Sequence, residues 1–282
     1  LALMNPGDLL LLPDPGYPDY LSGVSLGRVA YETFPLTAEN DFLPDLDAIP
    51  EETARRAKFI YINYPNNPTG AVATKAFYEK LVAWAKTYEV GVVSDLAYGA
   101  LGYQGYENPS FLSTPGAKDV GIEFYTFSKT FNMAGWRLAF AAGNDQMIEA
   151  LNLIQDHLFV GIFPALQEAG IAALLDPKSE EAVAQLNATY DSRRDAFVQA
   201  AAKIGWQAFP SRGSFYAWMP VPEGYTSESF ADLLLEKVHV AVAPGKGFGP
   251  AGDAYVRIGL LVEPERLVEA VDRIANLHLF NN

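Results

Sequence analysis

The sequence predicts an α/β protein with a mostly parallel sheet in a large first domain and a smaller α+β domain after it. Short, continuously apolar segments, typical of strands buried on both faces, alternate with segments of helical period over the first two thirds of the chain. From about Ser179 a long helical segment leads into short strands and two further helices. Half of the 282 residues are apolar, which suffices for two cores, so we expect domains at residues 1–178 and 179–282.

The individual elements follow from runs of apolar, β-branched and aromatic residues and from helical periodicity. In the first part we expect strands at 9–12, 58–63, 90–94, 124–127 and 138–142 and a helix at 75–88. Phe77, Leu81, Trp84 and Ala85 share one face of that helix. In the second part we expect helices at 179–204, 228–237 and 264–277 and strands in FYAWMPV, HVAVAP and YVRIGLL.

Charge and composition exclude several classes of function. The chain carries 20 Lys and Arg against 34 Asp and Glu, a formal net charge of -14, which disfavours nucleic acid and anionic membranes as partners because both require a basic face. It has no cysteine and 3 scattered histidines, His157, His239 and His278, so we expect no disulfide and no metal site. No apolar run approaches the ~20 residues of a membrane span. We therefore expect a cytoplasmic enzyme that acts on a small molecule.

Unusual polar residues follow four of the predicted strands. The loops in question are PDPGYPDY, NYPNNPTG, SDLAYGAL and TFSKTF. In an open parallel sheet, the loops at the carboxyl ends of the strands form the ligand crevice. Their shared position is therefore a stronger indication of a site than any one of the motifs.

The stretch YTFSKTFNMAGWR contains the two most informative cations, Lys129 and Arg137. On a surface loop both would be solvated, which is the common case for such pairs. In a cofactor site, Lys129 would supply an amine that becomes nucleophilic when burial or nearby cations lower its pKa. Arg137 precedes the apolar residues LAFAAG, which we expect to be buried, and its charge would bind a phosphate together with the hydroxyls of Thr126 and Ser128.

Five further side chains admit a structural and a functional explanation. Asp95 ends an apolar strand, where it would either cap a following helix or pair with a protonated ring nitrogen. Tyr98 is a core residue or a cofactor contact, and Asn67 in the rigid turn PNNPTG is a turn residue or a ligand. Tyr17 is likewise a turn residue or an aromatic cover for a planar cofactor. Arg257, in the apolar segment YVRIGL, forms either an internal salt bridge or a bidentate contact with a substrate carboxylate.

Two features are predicted to carry no chemistry. PGKGFGPAG is rich in glycine like a phosphate loop, but a strand follows it instead of a helix, so a connection between strands is expected. Arg193 and Arg194 lie on a polar helix and are expected to be solvated.

Taken together, NNPTG, SDLAY, TFSKTFNMAGWR and YVRIGL, in this order and spacing, resemble the pyridoxal-phosphate-dependent class I and II aminotransferases of fold type I. The resemblance covers essentially the whole chain. PDPGYPDY, NYPNNPTGAVAT and EGYTSESFADLLLEKVHVAVAPGKGFG are more similar still to the methionine-salvage aminotransferases of bacilli and their alanine-aminotransferase-like relatives. The resemblance implies a large domain with a mostly parallel seven-stranded sheet, a homodimer, and transfer of an amino group between an L-amino acid and a 2-oxo acid.

The resemblance also implies roles around the cofactor ring. Lys129 would form the Schiff base with pyridoxal phosphate and shuttle the proton between Cα and the cofactor. Asp95 would keep the pyridine nitrogen protonated, which lets the ring act as an electron sink. Tyr98 and Asn67 would hydrogen-bond the phenolic oxygen of the ring, and Tyr17 would stack on the ring.

The remaining roles concern the charged ends of cofactor and substrate. The resemblance implies that Thr126, Ser128 and Arg137 hold the phosphate. Arg257, with Asn67, would bind the substrate carboxylate. The reaction would be a ping-pong exchange in which an amino acid leaves as its 2-oxo acid and a second 2-oxo acid is aminated.

The side chain of the substrate is predicted from one segment. Members of the family that act on dicarboxylates place an additional arginine after the lysine, contributed by the partner subunit. The corresponding segment here is HLFVGIFPAL, in which His157 is the one basic residue. We therefore expect a neutral, apolar side chain such as that of methionine to be preferred over aspartate.

Two alternatives stay open at this point. A β-lyase on the same scaffold would use the same lysine, aspartate and arginine set. An aminotransferase-like sensor domain of a transcription regulator would carry a DNA-binding module before Leu1, although the acidic balance disfavours it. The sequence starts within what reads as a helix end, a turn and a strand, LALMNPGDLLLL, and we expect that further residues precede it. The resemblance implies that they include a Gly-rich loop whose backbone amides bind the phosphate.

Overall fold

The computed structural model describes residues 1–280 and contains two separate sheets. The larger sheet has six strands: β1 (Leu9–Asp14), β2 (Ala30–Pro35), β3 (Ala57–Asn63), β4 (Gly91–Asp95), β5 (Gly121–Thr126) and β6 (Ala139–Gly143). Their order is β2-β1-β3-β4-β5-β6, and all neighbours are parallel except β5 and β6. The predicted mostly parallel sheet is confirmed. The described residues supply six strands, and β2 was not predicted because five of the six residues in AYETFP are not buried.

Helices connect these strands: α1 (Asp19–Gly27), α2 (Glu51–Arg56), α3 (Lys75–Tyr88), α4 (Ala117–Val120), α5 (Phe127–Thr130), α6 (Asp145–Ile154) and α7 (Pro164–Leu175). Helix α3 has the predicted bounds. It begins where Thr74 accepts a hydrogen bond from the backbone N–H of Phe77 at 3.1 Å, and it ends at Glu89, whose φ is 59°. Its predicted apolar face is buried in the core beneath the sheet.

The second part of the chain forms the smaller sheet and three helices. The elements are α8 (Ser179–Lys203), β7 (Tyr216–Pro220), α9 (Ser227–Val238), β8 (Ala243–Pro244), β9 (Tyr255–Gly259) and α10 (Pro264–Ala275). The antiparallel strand order is β7-β9-β8. The strand predicted over HVAVAP is wrong for its first four residues: His239, with φ 56°, ends α9, and the N–H of Val240 donates back to Leu234 O at 3.1 Å. As predicted, the glycine-rich segment connects two strands, β8 and β9.

Each sheet has its own hydrophobic core. The core of the larger sheet includes Ile60, Tyr78 and Leu81, whereas that of the smaller sheet is built around Trp206 and Phe230. Two cores agree with two domains. The boundary after residue 178 stays a prediction.

Two predictions of burial are wrong. Strand β6 was expected to be buried, but Ala139, Phe140 and Ala142 are exposed because β6 is the edge of the sheet and pairs with β5 alone. Arg193 and Arg194 were both expected to be solvated. The side chain of Arg193 is only 14% exposed and pairs with Glu263 at 2.6 Å. Arg194 is only 7% exposed. Its guanidinium carbon lies 4.7 Å from the ring centroid of Tyr103, and its charge is paired with neighbouring aspartates of α8.

A buried carboxylate joins β5 to the neighbouring chain segments. Glu123 is 5% exposed and accepts hydrogen bonds from Ser94 Oγ at 2.9 Å, from the N–H of Phe111 at 2.8 Å and from Ser110 Oγ. Burial raises the pKa of Glu123, and the three donors partly oppose that rise. The carboxylate thus braces the strand that leads to Thr126.

Residues 1–280 contain no helix that is both long and apolar enough to cross a membrane. Within the same residues, no cluster of three or more histidine and acidic side chains is arranged to hold a metal ion.

Candidate active site

The nine residues singled out from the sequence line one cavity of about 340 Å³ at the carboxyl ends of the parallel strands. They are Tyr17, Asn67, Asp95, Tyr98, Thr126, Ser128, Lys129, Arg137 and Arg257. Tyr17 follows β1, Asn67 follows β3, and Asp95 is the last residue of β4. The parallel order of these strands brings their carboxyl ends to one edge of the sheet, as expected for a ligand crevice.

Asp95 is held by two donors. Its Oδ1 accepts the N–H of Ala97 at 3.1 Å, and its Oδ2 accepts the hydroxyl of Tyr20 at 2.7 Å. A turn follows β4 and no helix begins there, so the helix-cap explanation of Asp95 is wrong. Burial raises the pKa of Asp95, while Tyr20, Ala97 and the charge of Lys129 act in the opposite direction.

Lys129 extends from α5 into the cavity. The helix begins after Thr126, whose Oγ1 accepts the N–H of Ser128 at 3.1 Å. Burial lowers the pKa of Lys129, as do the nearby charges of Arg137 and Arg257, and the carboxylate of Asp95 partly offsets them. The amine therefore loses its proton more easily than a solvated lysine, which makes it a better nucleophile.

Two hydroxyls and a guanidinium line the cavity on the side of α5. Thr126 Oγ1 and Ser128 Oγ lie 3.0 Å apart. Arg137 is exposed, as the surface-loop explanation expected, and its Nη1 donates to Ala134 O at 2.9 Å. Its remaining donors are available to an anion in the cavity, because the guanidinium has five N–H groups.

Arg257 enters the cavity from β9 of the smaller sheet. Its Nη1 donates to Asn67 Oδ1 at 2.7 Å, and its guanidinium carbon lies 4.1 Å from the ring centroid of Tyr216 and 4.6 Å from that of Phe248. None of the ion pairs within residues 1–280 involves Arg257, so the salt-bridge explanation is not supported there. A planar cation between two rings is well placed for a carboxylate.

Tyr17 and Tyr98 supply aromatic walls. Tyr98 is buried, and its ring meets that of Phe215 edge to face with centroids 5.2 Å apart. Tyr17 is 39% exposed. Its hydroxyl donates to Asp19 at 2.6 Å, and this bond is the main reason that its pKa rises to about 12.

Sequence reasoning missed three residues of this site. Asn63 Nδ2 donates to the carbonyl of Asp95 at 2.8 Å, and its Oδ1 accepts the N–H of Asn67 at 2.9 Å. Asn63 ends a buried strand, as Asp95 does, and pairs with it in register, so the same signal would have found it. Tyr20 and Tyr216 carry no comparable signal, since their contacts depend on the tertiary fold.

The donor set fits pyridoxal phosphate. A half-buried carboxylate, Asp95, suits a protonated ring nitrogen. The hydroxyls of Thr126 and Ser128 with the guanidinium of Arg137 suit a phosphate. The amine of Lys129, with its lowered pKa, lines the same cavity as both groups.

Comparison with known proteins gives the same family. The sequence profile of the aminotransferase class I and II family matches residues 1–274. L-Glutamine–4-(methylsulfanyl)-2-oxobutanoate aminotransferase of Bacillus subtilis is 57% identical over 279 residues, which are 99% of this chain and 70% of that protein. LL-diaminopimelate aminotransferase of Moorella thermoacetica is 49% identical over 274 residues, 97% of this chain and 70% of that protein.

Solved structures agree. The substrate-bound structure of BacF from Bacillus subtilis has a TM-score of 0.94 and 46% sequence identity, covering 99% of this chain and 71% of that one. An aminotransferase from Staphylococcus aureus has a TM-score of 0.95 and 40% identity, covering 99% and 74%. The chain therefore belongs to the class I and II aminotransferases, enzymes of fold type I that use pyridoxal phosphate bound as a Schiff base to a lysine.

Proposed function

We propose that this aminotransferase binds pyridoxal phosphate through Lys129 and exchanges amino groups between amino acids and 2-oxo acids with neutral, apolar side chains, with methionine and 4-methylthio-2-oxobutanoate as the preferred pair. The observation that carries the site assignment is the common cavity of nine residues chosen from the sequence. The name of the relative at 57% identity supports the substrate pair.

Two arginines of the cavity are assigned to the two anionic groups, the α-carboxylate of the substrate and the phosphate of the cofactor. Arg257, aligned by Asn67 and its flanking rings, binds the α-carboxylate that amino acid and 2-oxo acid share. Arg137, with the hydroxyls of Thr126 and Ser128, would hold the cofactor phosphate. These contacts fix both charged ends, which orients the substrate Cα toward the amine of Lys129.

Proton transfer is assigned to Lys129. When bound, pyridoxal phosphate supplies an electron sink that makes the Cα proton of the amino acid acidic. The neutral Nζ of Lys129 takes that proton and returns it during the exchange, for which its lowered pKa suits it. Ionised Asp95 would hold the ring nitrogen protonated, and Tyr98 with Asn67 would donate to the phenolic oxygen.

Substrate choice is the finer part of the proposal. Besides Lys129, the cations that line the cavity are Arg137 and Arg257, and both already have an anion assigned to them. A second substrate carboxylate, as in aspartate, would lack a cation among the described cavity residues. LL-diaminopimelate is the second candidate, because relatives at 49% identity carry that name.

The test is a comparison of kcat/KM for amino donors and acceptors with purified holoenzyme. Glutamine with 4-methylthio-2-oxobutanoate, and methionine with 2-oxo acids, should exceed aspartate by at least tenfold. Higher kcat/KM for LL-diaminopimelate would replace the substrate proposal, and release of ammonia and pyruvate without exchange would favour the β-lyase. Lys129→Ala should lack turnover with every donor.

The proposed enzyme acts as a homodimer. Large apolar side chains around the segment HLFVGIFPAL are exposed, among them Phe159 at 65%, Val160 at 85% and Phe163 at 69%, and such a cluster is typical of an interface. Light scattering coupled to gel filtration should give twice the chain mass. A monomer that retains full turnover would remove this part of the proposal.

A further inference from the structure

Tyr20 lies on α1, outside the sequence motifs that predicted the site, and forms a hydrogen bond to the carboxylate of Asp95. Its hydroxyl donates to Asp95 Oδ2 at 2.7 Å, while the N–H of Ala97 donates to Oδ1 at 3.1 Å. Each oxygen thus has one donor fixed by the protein, which sets the plane of the carboxylate. A carboxylate accepts about four hydrogen bonds, so acceptor capacity is left for a group in the cavity that Asp95 lines.

The ring of Tyr20 is itself held in a small aromatic cluster. It meets Tyr17 edge to face with centroids 5.6 Å apart, and Tyr61 of β3 at 4.9 Å. Burial and the charge of Asp95 raise the pKa of Tyr20 well above its ordinary value. The hydroxyl therefore keeps its proton and stays a donor throughout the working pH range.

We propose that Tyr20 is a positioning residue for Asp95, whose hydroxyl keeps the carboxylate ionised and turned toward the cavity. The inference rests on the proposed role of Asp95 as partner of the cofactor ring nitrogen. Of the three groups that favour ionised Asp95, the N–H of Ala97 belongs to the backbone and Lys129 is the proposed nucleophile. Tyr20 is the side chain that acts on Asp95 without a further task assigned to it.

The direction of the pH effect follows from the groups around Asp95. Those that face it are Tyr17 before α1, Tyr20 on α1, Tyr61 on β3, Tyr98 after β4 and Lys129 on α5. Of these, Tyr20 is the hydroxyl that donates to the carboxylate. Removing that donor raises the pKa of Asp95 further, so Asp95 becomes protonated at higher pH.

The chain offers a matched pair of variants. Tyr20→Phe removes the hydroxyl that donates to Asp95, and Tyr61→Phe removes a hydroxyl from the same cluster that makes no such bond. The first readout uses cofactor-free protein labelled with ¹³C at aspartate carboxyl carbons, with Asp95→Asn identifying the signal. We expect Tyr20→Phe to move the titration midpoint of Asp95 up by about one pH unit, the effect of one hydrogen bond to a charged group, and Tyr61→Phe to leave it in place. An unmoved midpoint in Tyr20→Phe overturns the inference.

The second readout is the dissociation constant of pyridoxal phosphate, measured by fluorescence titration. Tyr20→Phe should raise it about tenfold, and should move the acid limb of kcat to higher pH with KM nearly unchanged. In the Asp95→Asn background the same change should have less than a threefold effect, because the coupling runs through Asp95. An undiminished effect in that background would mean that Tyr20 acts as packing and would overturn the inference.

The two readouts separate the inference from the function on which it rests. If Tyr20→Phe shifts the titration midpoint of Asp95 but leaves the affinity for pyridoxal phosphate unchanged, Tyr20 still positions Asp95. The proposed role of Asp95 as partner of the cofactor ring nitrogen would then be wrong. Thermal unfolding of both phenylalanine variants checks that the fold is retained. A destabilised Tyr20→Phe with an unmoved midpoint counts against the inference.

Discussion

Replacing Arg257 by lysine keeps the positive charge and removes the planar guanidinium. Lysine loses the 2.7 Å hydrogen bond to Asn67 and the placement between the rings of Tyr216 and Phe248. It would also exchange the proposed two-point contact with the substrate carboxylate for a single one. A hydrogen bond between charged groups contributes about 1.5–3 kcal/mol, so kcat/KM should fall about 10- to 150-fold.

The assay is steady-state exchange with several concentrations of each substrate. Because amino acid and 2-oxo acid share the α-carboxylate, KM should rise for both, whereas the visible absorption band of the bound cofactor should not change. Arg266→Lys, an exposed arginine of α10, is the matched control and should change kcat/KM less than twofold. A change of less than threefold in Arg257→Lys, or an equal loss with an amine that lacks the carboxylate, would refute the assignment of Arg257.

Three further predictions concern the phosphate, a buried carboxylate and a tight turn. Arg137→Ala should raise the dissociation constant of pyridoxal phosphate about 10- to 100-fold by fluorescence titration and leave that of pyridoxal, which lacks the phosphate, unchanged. Burial raises the pKa of Glu123 in the folded state, so the wild type loses free energy of unfolding as pH rises above 4.5 and Glu123 ionises. Glu123→Gln cannot ionise at this position, so its free energy of unfolding should increase relative to that of the wild type over the same pH range. Urea unfolding at a series of pH values measures this difference. Gly70→Ala should lose about 1–3 kcal/mol in the same assay, because Gly70 has φ +73° and a Cβ there would overlap Ser211 Oγ.

Each of these predictions has a control and a contradicting result. If Arg137→Ala weakened the binding of pyridoxal and of pyridoxal phosphate equally, Arg137 would not be the ligand of the phosphate. A pH-independent difference for Glu123→Gln, or the same pH dependence in the exposed Glu223→Gln, would mean that Glu123 is not the group responsible. Gly23→Ala in α1, where a Cβ meets no atom within 4 Å, should not destabilise the chain; if Gly70→Ala matches it, the turn is not constrained as described.

Much of the site could be predicted because its residues follow strands. Asp95 ends β4, and Asn67, Thr126 and Lys129 lie in or next to the loops that follow β3 and β5. Strand ends are visible as the point where an apolar run meets a polar residue. The parallel order then brings those ends together without further information.

The remainder depends on contacts that cross long stretches of sequence. Arg257 meets Asn67 over 190 positions, and Tyr20 meets Asp95 over 75. No local pattern encodes such pairs. The sequence also does not show which strand lies at the edge of the sheet. The segment LAFAAG has the composition of a buried strand, but β6 pairs with one neighbouring strand instead of two.

The central claim is that Lys129 carries the cofactor, and reduction followed by peptide mapping tests it most directly. Borohydride reduces a Schiff base to a stable secondary amine, so a cofactor on a lysine becomes a permanent mass label. The account predicts the label on the peptide that contains Lys129 and its absence in Lys129→Ala. A label on another lysine, such as Lys246 in the glycine-rich segment, or a bound cofactor that cannot be reduced onto the chain, would contradict it.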